Sequence, residues 1–187
     1  MTNPAPPNDS TPLCVDLDGT LINTDMLWES LVRWLRRKPW YLPLILLWWS
    51  RGRARLKAEL AARVRVDPAT LPYHQPFLRF LQGEKRCGRT LLLVTASDEA
   101  LARPVAEYTG LFEEVLASDG KTNLRGKTKG SRLAERFGKG GFDYAGNSSV
   151  DLPVWALARQ AIVVNGSLRL VARAGQVAKL GPVFPRH

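Results

Sequence analysis

The stretch Leu13-Cys14-Val15-Asp16-Leu17-Asp18-Gly19-Thr20-Leu21 decides how this chain is read. An apolar run enters two aspartates spaced by one residue and leaves through Gly-Thr, the pattern of a short buried strand ending in a loop. In a parallel α/β sheet, ligands lie outside the carboxyl ends of the strands. A strand over Leu13–Asp16 therefore delivers both carboxylates to that end. Two close carboxylates repel unless a positive charge lies between them, and a hard cation with oxygen ligands, Mg2+, is the natural partner. Taken alone, the same residues also fit a strand-end aspartate capping a turn.

Outward from this stretch, strand and helix signals alternate. Thr90–Thr95 is a continuous apolar run, typical of a strand covered on both faces. Phe112–Ala117, Phe142–Ala145 and Ala161–Val164 read as further strands. Helices are predicted over Asp25–Lys38, Arg53–Val64, Gln75–Glu84, Asp98–Tyr108, Lys129–Phe137 and Leu152–Arg159. Pro104 predicts a kink or restart in its helix. Leu168–Val177 predicts a terminal helix or a pair of strands. This alternation predicts an α/β fold with a doubly wound, Rossmann-like parallel sheet.

The gap between Thr20 and Thr95 exceeds a normal βα connection. Residues 26–85 are predicted to form an inserted helical cap on a core made of 13–25 and 86–187. Residues 1–12 are Pro-rich, lack the basic and apolar segments of a signal peptide, and are expected to form a flexible lead-in.

Lys and Arg number 27 against 17 Asp and Glu, giving a formal charge of +10. That balance favours an anionic partner. The two cysteines, Cys14 and Cys87, read as reduced thiols of a cytoplasmic protein. Met26–Val66 holds ten basic and two acidic residues, and five of the six Trp lie at 28, 34, 40, 48 and 49. Trp with Arg and Lys beside an apolar face is the composition of an interfacial helix, which predicts peripheral contact with an anionic membrane surface. A buried helical hairpin with a solvated basic rim fits the composition equally. The apolar stretch 40–49 is too short to span a bilayer, which needs about 20 residues. Nucleic acid is not expected, because the aromatic residues are interleaved with Leu and Ile rather than polar groups.

Four polar stations fall at strand ends or helix starts: Asp16 with Asp18, Thr95, Lys129, and Asn147 with Asp151. Their order resembles the haloacid dehalogenase-like superfamily of hydrolases, over about Leu13 to Val164. The first motif resembles Asp16-x-Asp18-Gly19-Thr20, the second Thr95 after an apolar strand, the third Lys129 opening a helix, and the fourth Gly146-Asn147-x-x-x-Asp151. The resemblance implies that Asp16 is the nucleophile and that Asp18 is the acid and base. It implies that Thr95 holds a phosphoryl oxygen with backbone N–H groups near Asp18, Gly19 and Ala96, and that Lys129 offsets the charge. Mg2+ would be held by Asp16, the Asp18 carbonyl, and Asn147 or Asp151. Gly19, Thr20, Ala96 and His74 are expected at the substrate, His74 because it lies where the insertion returns to the core.

Asp18 argues for phosphoryl transfer over dehalogenation, which has no leaving alcohol to protonate. The family often has Asp where this chain has Asn147. Its amide offers an oxygen without a charge, which predicts weaker Mg2+ binding. Leu71-Pro-Tyr73, Ala117-Ser-Asp-Gly120, Asn123-Leu124 and Phe142–Asn147 resemble one subgroup further, the domains found ahead of polytopic prenyltransferases of the ubiquinone-biosynthesis type. A membrane prenyltransferase is thereby an expected partner. The expected activity is that of a Mg2+-dependent phosphatase working through an aspartyl-phosphate at the inner face of the membrane. Its substrate would be a phosphorylated lipid or a polyprenyl-linked sugar phosphate. The alternatives are a catalytically weak or inactive membrane-associated binding module, and a soluble sugar-phosphate phosphatase.

Overall fold

The computed structural model describes residues 11–26, 66–118 and 122–186, with scattered positions between 27 and 65. Six strands form one parallel sheet: β1 (Leu13–Val15), β2 (Leu91–Asp98), β3 (Glu114–Ser118), β4 (Asp143–Gly146), β5 (Gln160–Val164) and β6 (Lys179–Phe184). Their order is β3-β2-β1-β4-β5-β6. The chain winds outward from β1 to β3, then crosses back and winds the other way through β4 to β6. The direction reverses between β1 and β4, and a crevice for ligands opens at such a switch point.

Side-chain alternation divides the core into two layers. Leu13, Val15, Leu91, Leu93 and Ile162 face one side, where they meet Phe77 and Leu81 of helix α1 (Gln75–Arg86) and Leu101 and Val105 of α2 (Glu99–Thr109). Cys14, Leu92, Val94, Tyr144 and Val163 face the other. There they meet Leu133 of α3 (Lys127–Phe137), Val154 and Trp155 of α4 (Leu152–Trp155), and Leu170 and Ala174 of α5 (Leu168–Val177).

Several expectations shift. The helix expected over Leu152–Arg159 ends at Trp155 and is preceded by a 3-10 turn over Ser149–Asp151. Pro104 lies inside α2, which runs without a break from its Asp98 cap to Gly110 in the left-handed region (φ 61°). Of the two alternatives for Leu168–Val177 the chain takes the helix, α5, and β6 follows it over Lys179–Phe184, a strand the sequence reading does not anticipate. Val66, Leu71, Tyr73, Phe77 and Leu81 belong to the same core cluster as β1 and β2. Phe77 and Leu81 lie one helical turn apart on the buried face through which residues 66–86 join that cluster. The expected first helix starts as read, with the Glu29 N–H donating to the Asp25 carbonyl at 3.0 Å. The helix expected over Arg53–Val64 and the apolar stretch 40–49 lie outside the described residues apart from Trp40, Pro43 and Leu47. Cys14 is buried and Cys87 exposed, both free.

At the end of the sheet away from the crevice, Asp143 is wholly buried and pairs with two arginines. Arg159 donates to it at 2.6 and 2.9 Å, and Arg89 closes the pair from the other side while also reaching Glu84 at 2.5 Å. Removing one member of a buried ion network strands the rest. Asp143→Ala is therefore expected to lower stability by about 3–5 kcal/mol, read from urea denaturation. A loss below about 1 kcal/mol, the scale of an exposed pair, would show that the two arginines find other acceptors.

Candidate active site

Strand β1 ends at Val15, and the next residue, Asp16, stays in the ladder through its N–H to the Ala145 carbonyl at 3.0 Å. Its side chain is 12% exposed. Lys129, in the first turn of α3, sends its ammonium through the interior to Asp16 Oδ1 at 2.7 Å. A cation in the first turn opposes the helix dipole; here the carboxylate compensates for it. The same ammonium donates to the Val94 carbonyl at 3.0 Å and to the Tyr144 hydroxyl at 2.7 Å. Tyr144 donates onward to Asp151 Oδ1 at 3.1 Å. Asp151 Oδ2 accepts from the N–H groups of Asn147 and Ser148 at 3.1 and 3.0 Å and from Ser148 Oγ at 3.2 Å. Asp151 therefore shapes the loop that carries Asn147.

Asp18 is held from two sides. Its Oδ1 accepts from the Met26 N–H at 2.7 Å and its Oδ2 from Ser97 Oγ at 2.6 Å. The pairing of β2 with β3 shifts register between Val94 and Asp98. Register irregularities of this kind recur beside active sites, and Ser97 meets Asp18 within this one. Thr95 Oγ1 accepts from the Ser97 N–H at 3.0 Å and is fully buried. Sequence reasoning misses Ser97 and Tyr144, although Thr95-Ala-Ser97 places two hydroxyls at the i, i+2 spacing that shares a strand face.

The predicted catalytic residues Asp16, Asp18, Thr95 and Lys129 thus converge with Asn147 and Asp151 on one crevice. The expected substrate contacts divide. Gly19 borders the cleft, but its N–H is already donated to the Thr24 carbonyl at 3.0 Å. Gly19 has φ 74°, and a Cβ there would meet Asn147 Nδ2 at 2.0 Å, so its part is to let the amide close in. Ala96 is half-buried, and its carbonyl accepts from Ser118 Oγ at 3.1 Å. Thr20 is fully buried, and its hydroxyl has no hydrogen-bond partner among the described residues. One expectation is corrected. His74 is 2% exposed and caps α1: Nδ1 accepts from the Phe77 N–H at 3.2 Å, and Nε2 lies 3.1 Å from the Pro185 carbonyl. Helix capping and packing absorb it, so it does not reach the substrate.

Burial pushes the Asp16 carboxyl up from 3.8 to about 7; Lys129 opposes the rise, and Asp151 and Asp18 add to it. Burial also raises the Tyr144 hydroxyl well above 10, so the phenol keeps its proton and donates it to Asp151. Three acidic side chains face one ammonium, an excess of acid groups whose mutual repulsion a divalent cation would relieve. Among the described residues no three His, Cys, Asp or Glu side chains cluster as a closed metal site. The donors that suit a cation are the second oxygen of Asp16, the Asp18 carbonyl and the Asn147 amide oxygen, an all-oxygen set suited to a hard ion. Asp151, with both oxygens committed, would support such a site from behind.

The raised Asp16 value has a consequence for stability. Between about pH 4 and 7 the native chain holds a proton that the unfolded chain has released. This contribution is complete below the unfolded value and is lost as pH rises through about 7. The metal-free protein is expected to lose melting temperature across that window. Added Mg2+ should raise Tm more at about pH 8 than at about pH 5.5, because cation and proton compete for Asp16. Thermal melts with and without Mg2+ check this, and an equal shift at both pH values would count against Asp16 as a ligand.

A cleft of about 450 Å³ opens beside Asp18, bordered by Asn23, Thr24, Asn147, Asn165 and Arg186 among others. Asn165, in the left-handed region (φ 55°), donates to the Gly19 carbonyl and to Asn23 Oδ1, both at 2.9 Å. It ties the end of β5 to the loop after Asp18.

Comparison with known proteins agrees with this architecture. The chain is 36% identical over 162 residues to the uncharacterized protein y4nM of Sinorhizobium fredii, covering 87% of this chain and 31% of that protein. It thus spans about a third of that relative's length. A protein of unknown function from Bordetella pertussis superposes with a TM-score of 0.64 at 18% identity, covering 92% of this chain and 97% of the other. A phosphoserine phosphatase in its apo form superposes with a TM-score of 0.60 at 14% identity, and the phospho-aspartyl intermediate analogue of phosphoserine phosphatase with 0.59 at 13%. Each covers 95% of this chain and 94% of the matched one. These likenesses carry the fold. The family model for haloacid dehalogenase-like hydrolases matches residues 13–155, which hold every converging side chain described above, and the chain belongs to that family.

Proposed function

We propose that this chain is a phosphomonoesterase that works through an aspartyl-phosphate on Asp16. The observation that carries the reading is the pairing of Asp16 with Lys129 at 2.7 Å while Asp18 is held 2.6 Å from Ser97 at the same switch point. Lys129 thereby favours the attacking anion against the pull of burial, and the neighbouring carboxyl is oriented to handle a proton. An Asp16 oxygen forms a bond to phosphorus as the ester P–O bond breaks, and Asp18 gives its proton to the departing oxygen. Water then attacks the phosphorus, Asp18 takes a proton from it, and the acyl-phosphate bond breaks to release phosphate and restore Asp16. Mg2+, held by Asp16, the Asp18 carbonyl and Asn147, would neutralise charge on the phosphoryl oxygens.

The leaving group is proposed to be polar. Side-chain amides and a hydroxyl border the cleft beside Asp18, which suits a sugar phosphate, free or polyprenyl-linked. The membrane-facing form of the reading draws support from the basic, Trp-rich segment and from Trp40, which is 70% exposed. No helix among the described residues is long and apolar enough to cross a membrane. In this form the chain binds an anionic bilayer peripherally, beside a membrane prenyltransferase. Phosphate release from a panel of phosphomonoesters with Mg2+ tests the chemistry. Flotation with anionic liposomes at low salt tests the location. Activity without flotation leaves a soluble sugar-phosphate phosphatase; flotation without turnover or a beryllium fluoride adduct leaves a binding module.

A further inference from the structure

The Lys129 ammonium has three N–H bonds to give, and each finds a protein acceptor: Asp16 Oδ1 at 2.7 Å, the Val94 carbonyl at 3.0 Å and Tyr144 Oη at 2.7 Å. While these bonds hold, none is left for a substrate oxygen. Lys129 then acts on a phosphoryl group through its charge and not through a hydrogen bond. Tyr144 Oη is the third acceptor and donates its own hydrogen bond to Asp151 Oδ1 at 3.1 Å. The opposite oxygen of Asp151 fixes the main chain at Asn147 and Ser148. The phenol thus links the cation that holds Asp16 to the loop that presents Asn147.

We propose that Tyr144 is a positioning residue, which saturates Lys129, locks it onto Asp16 and ties that pair to the Asn147 loop. Packing makes it suited to the task. The ring meets Trp155 edge-on at 6.5 Å, and Trp155 Nε1 donates to the Tyr144 carbonyl at 3.0 Å. The hydroxyl is therefore set in place by a rigid body. Phenylalanine would keep that packing while leaving a Lys129 N–H and an Asp151 oxygen without partners across the gap. The freed ammonium is then able to draw away from Asp16, and the attack loses its alignment rather than the substrate its binding.

The kinetic part of this proposal rests on the phosphomonoesterase reading; the lysine part does not. With p-nitrophenyl phosphate, Tyr144→Phe is expected to lower kcat about 10-fold or more, as loss of a supporting hydrogen bond does around a site, and to leave KM within about twofold. Lys-selective 15N spectra of the full chain, with the Lys129 resonance assigned from Lys129→Arg, supply a readout independent of turnover. The wild-type ammonium is expected to give a slowly exchanging resonance that Tyr144→Phe abolishes. A protected resonance surviving in Tyr144→Phe with kcat unchanged, even beside a lower Tm, overturns the proposal. So does a wild-type ammonium with no protection, a measurement that decides the matter even if Tyr144→Phe fails to fold. A Tyr144-dependent resonance in a chain that hydrolyses no phosphomonoester upholds the positioning role and sinks the phosphatase reading instead.

Discussion

Replacing Asp16 by Asn is expected to cut phosphomonoester turnover by about 10⁴-fold or more, the scale seen when a covalent nucleophile is removed. The amide fits the same space, so the crevice should persist. It cannot form the acyl-phosphate, and no other described carboxylate stands in its place: Asp18 is turned to Met26 and Ser97, and Asp151 to its own loop. Initial rates, together with a test for the beryllium fluoride adduct, give the measurement. A variant that keeps more than about a hundredth of the wild-type rate would assign the attack to water. Asp16 would then be only a cation ligand or a base.

The second large effect is expected from Lys129→Met. The ammonium is the group that lowers the Asp16 carboxyl against burial and against Asp18 and Asp151. Without it the carboxyl rises further above about 7, and at neutral pH the nucleophile is mostly protonated. Every tenfold change in a group's acidity corresponds to about 1.4 kcal/mol between its charged and neutral forms. Turnover near pH 7 is expected to fall about 100-fold or more, from fewer ionised nucleophiles and from loss of charge opposite the phosphoryl group. The rise of rate with pH should move to more alkaline values. The methionine fills the lysine's apolar path, so a change confined to thermal stability, with the pH–rate profile unmoved, would remove Lys129 from the chemistry. Lys129→Met and Asp16→Asn touch the same pair and should combine non-additively.

Much of the site is legible in the chain because its motifs sit at strand ends. A buried apolar run followed by polar residues says both where a strand stops and what it presents. Asp16, Thr95 and Asn147 are legible in this way. Lys127 and Lys129 are equally awkward in a helix first turn, where the dipole disfavours a cation; Lys129 is singled out by the Gly130 and helix that follow it. His74 misleads because sequence position cannot tell a polar residue at a substrate from one absorbed by the backbone. The His74 ring caps a helix. Ser97 and Tyr144 escape notice because each acts only through a partner that folding brings to it, Asp18 for Ser97 and Lys129 for Tyr144.

By itself the sequence determined the α/β winding and the identity of the four polar stations. Those depend on local periodicity and on the chemistry of carboxylates near one another, both written in adjacent residues. Only the tertiary structure decided which atoms are spent and which are free. It committed all three Lys129 protons, both Asp151 oxygens and the Gly19 N–H, and it left the second oxygen of Asp16 for a ligand. Hydrogen-bond saturation is a property of packed neighbours, and no single stretch of chain contains it.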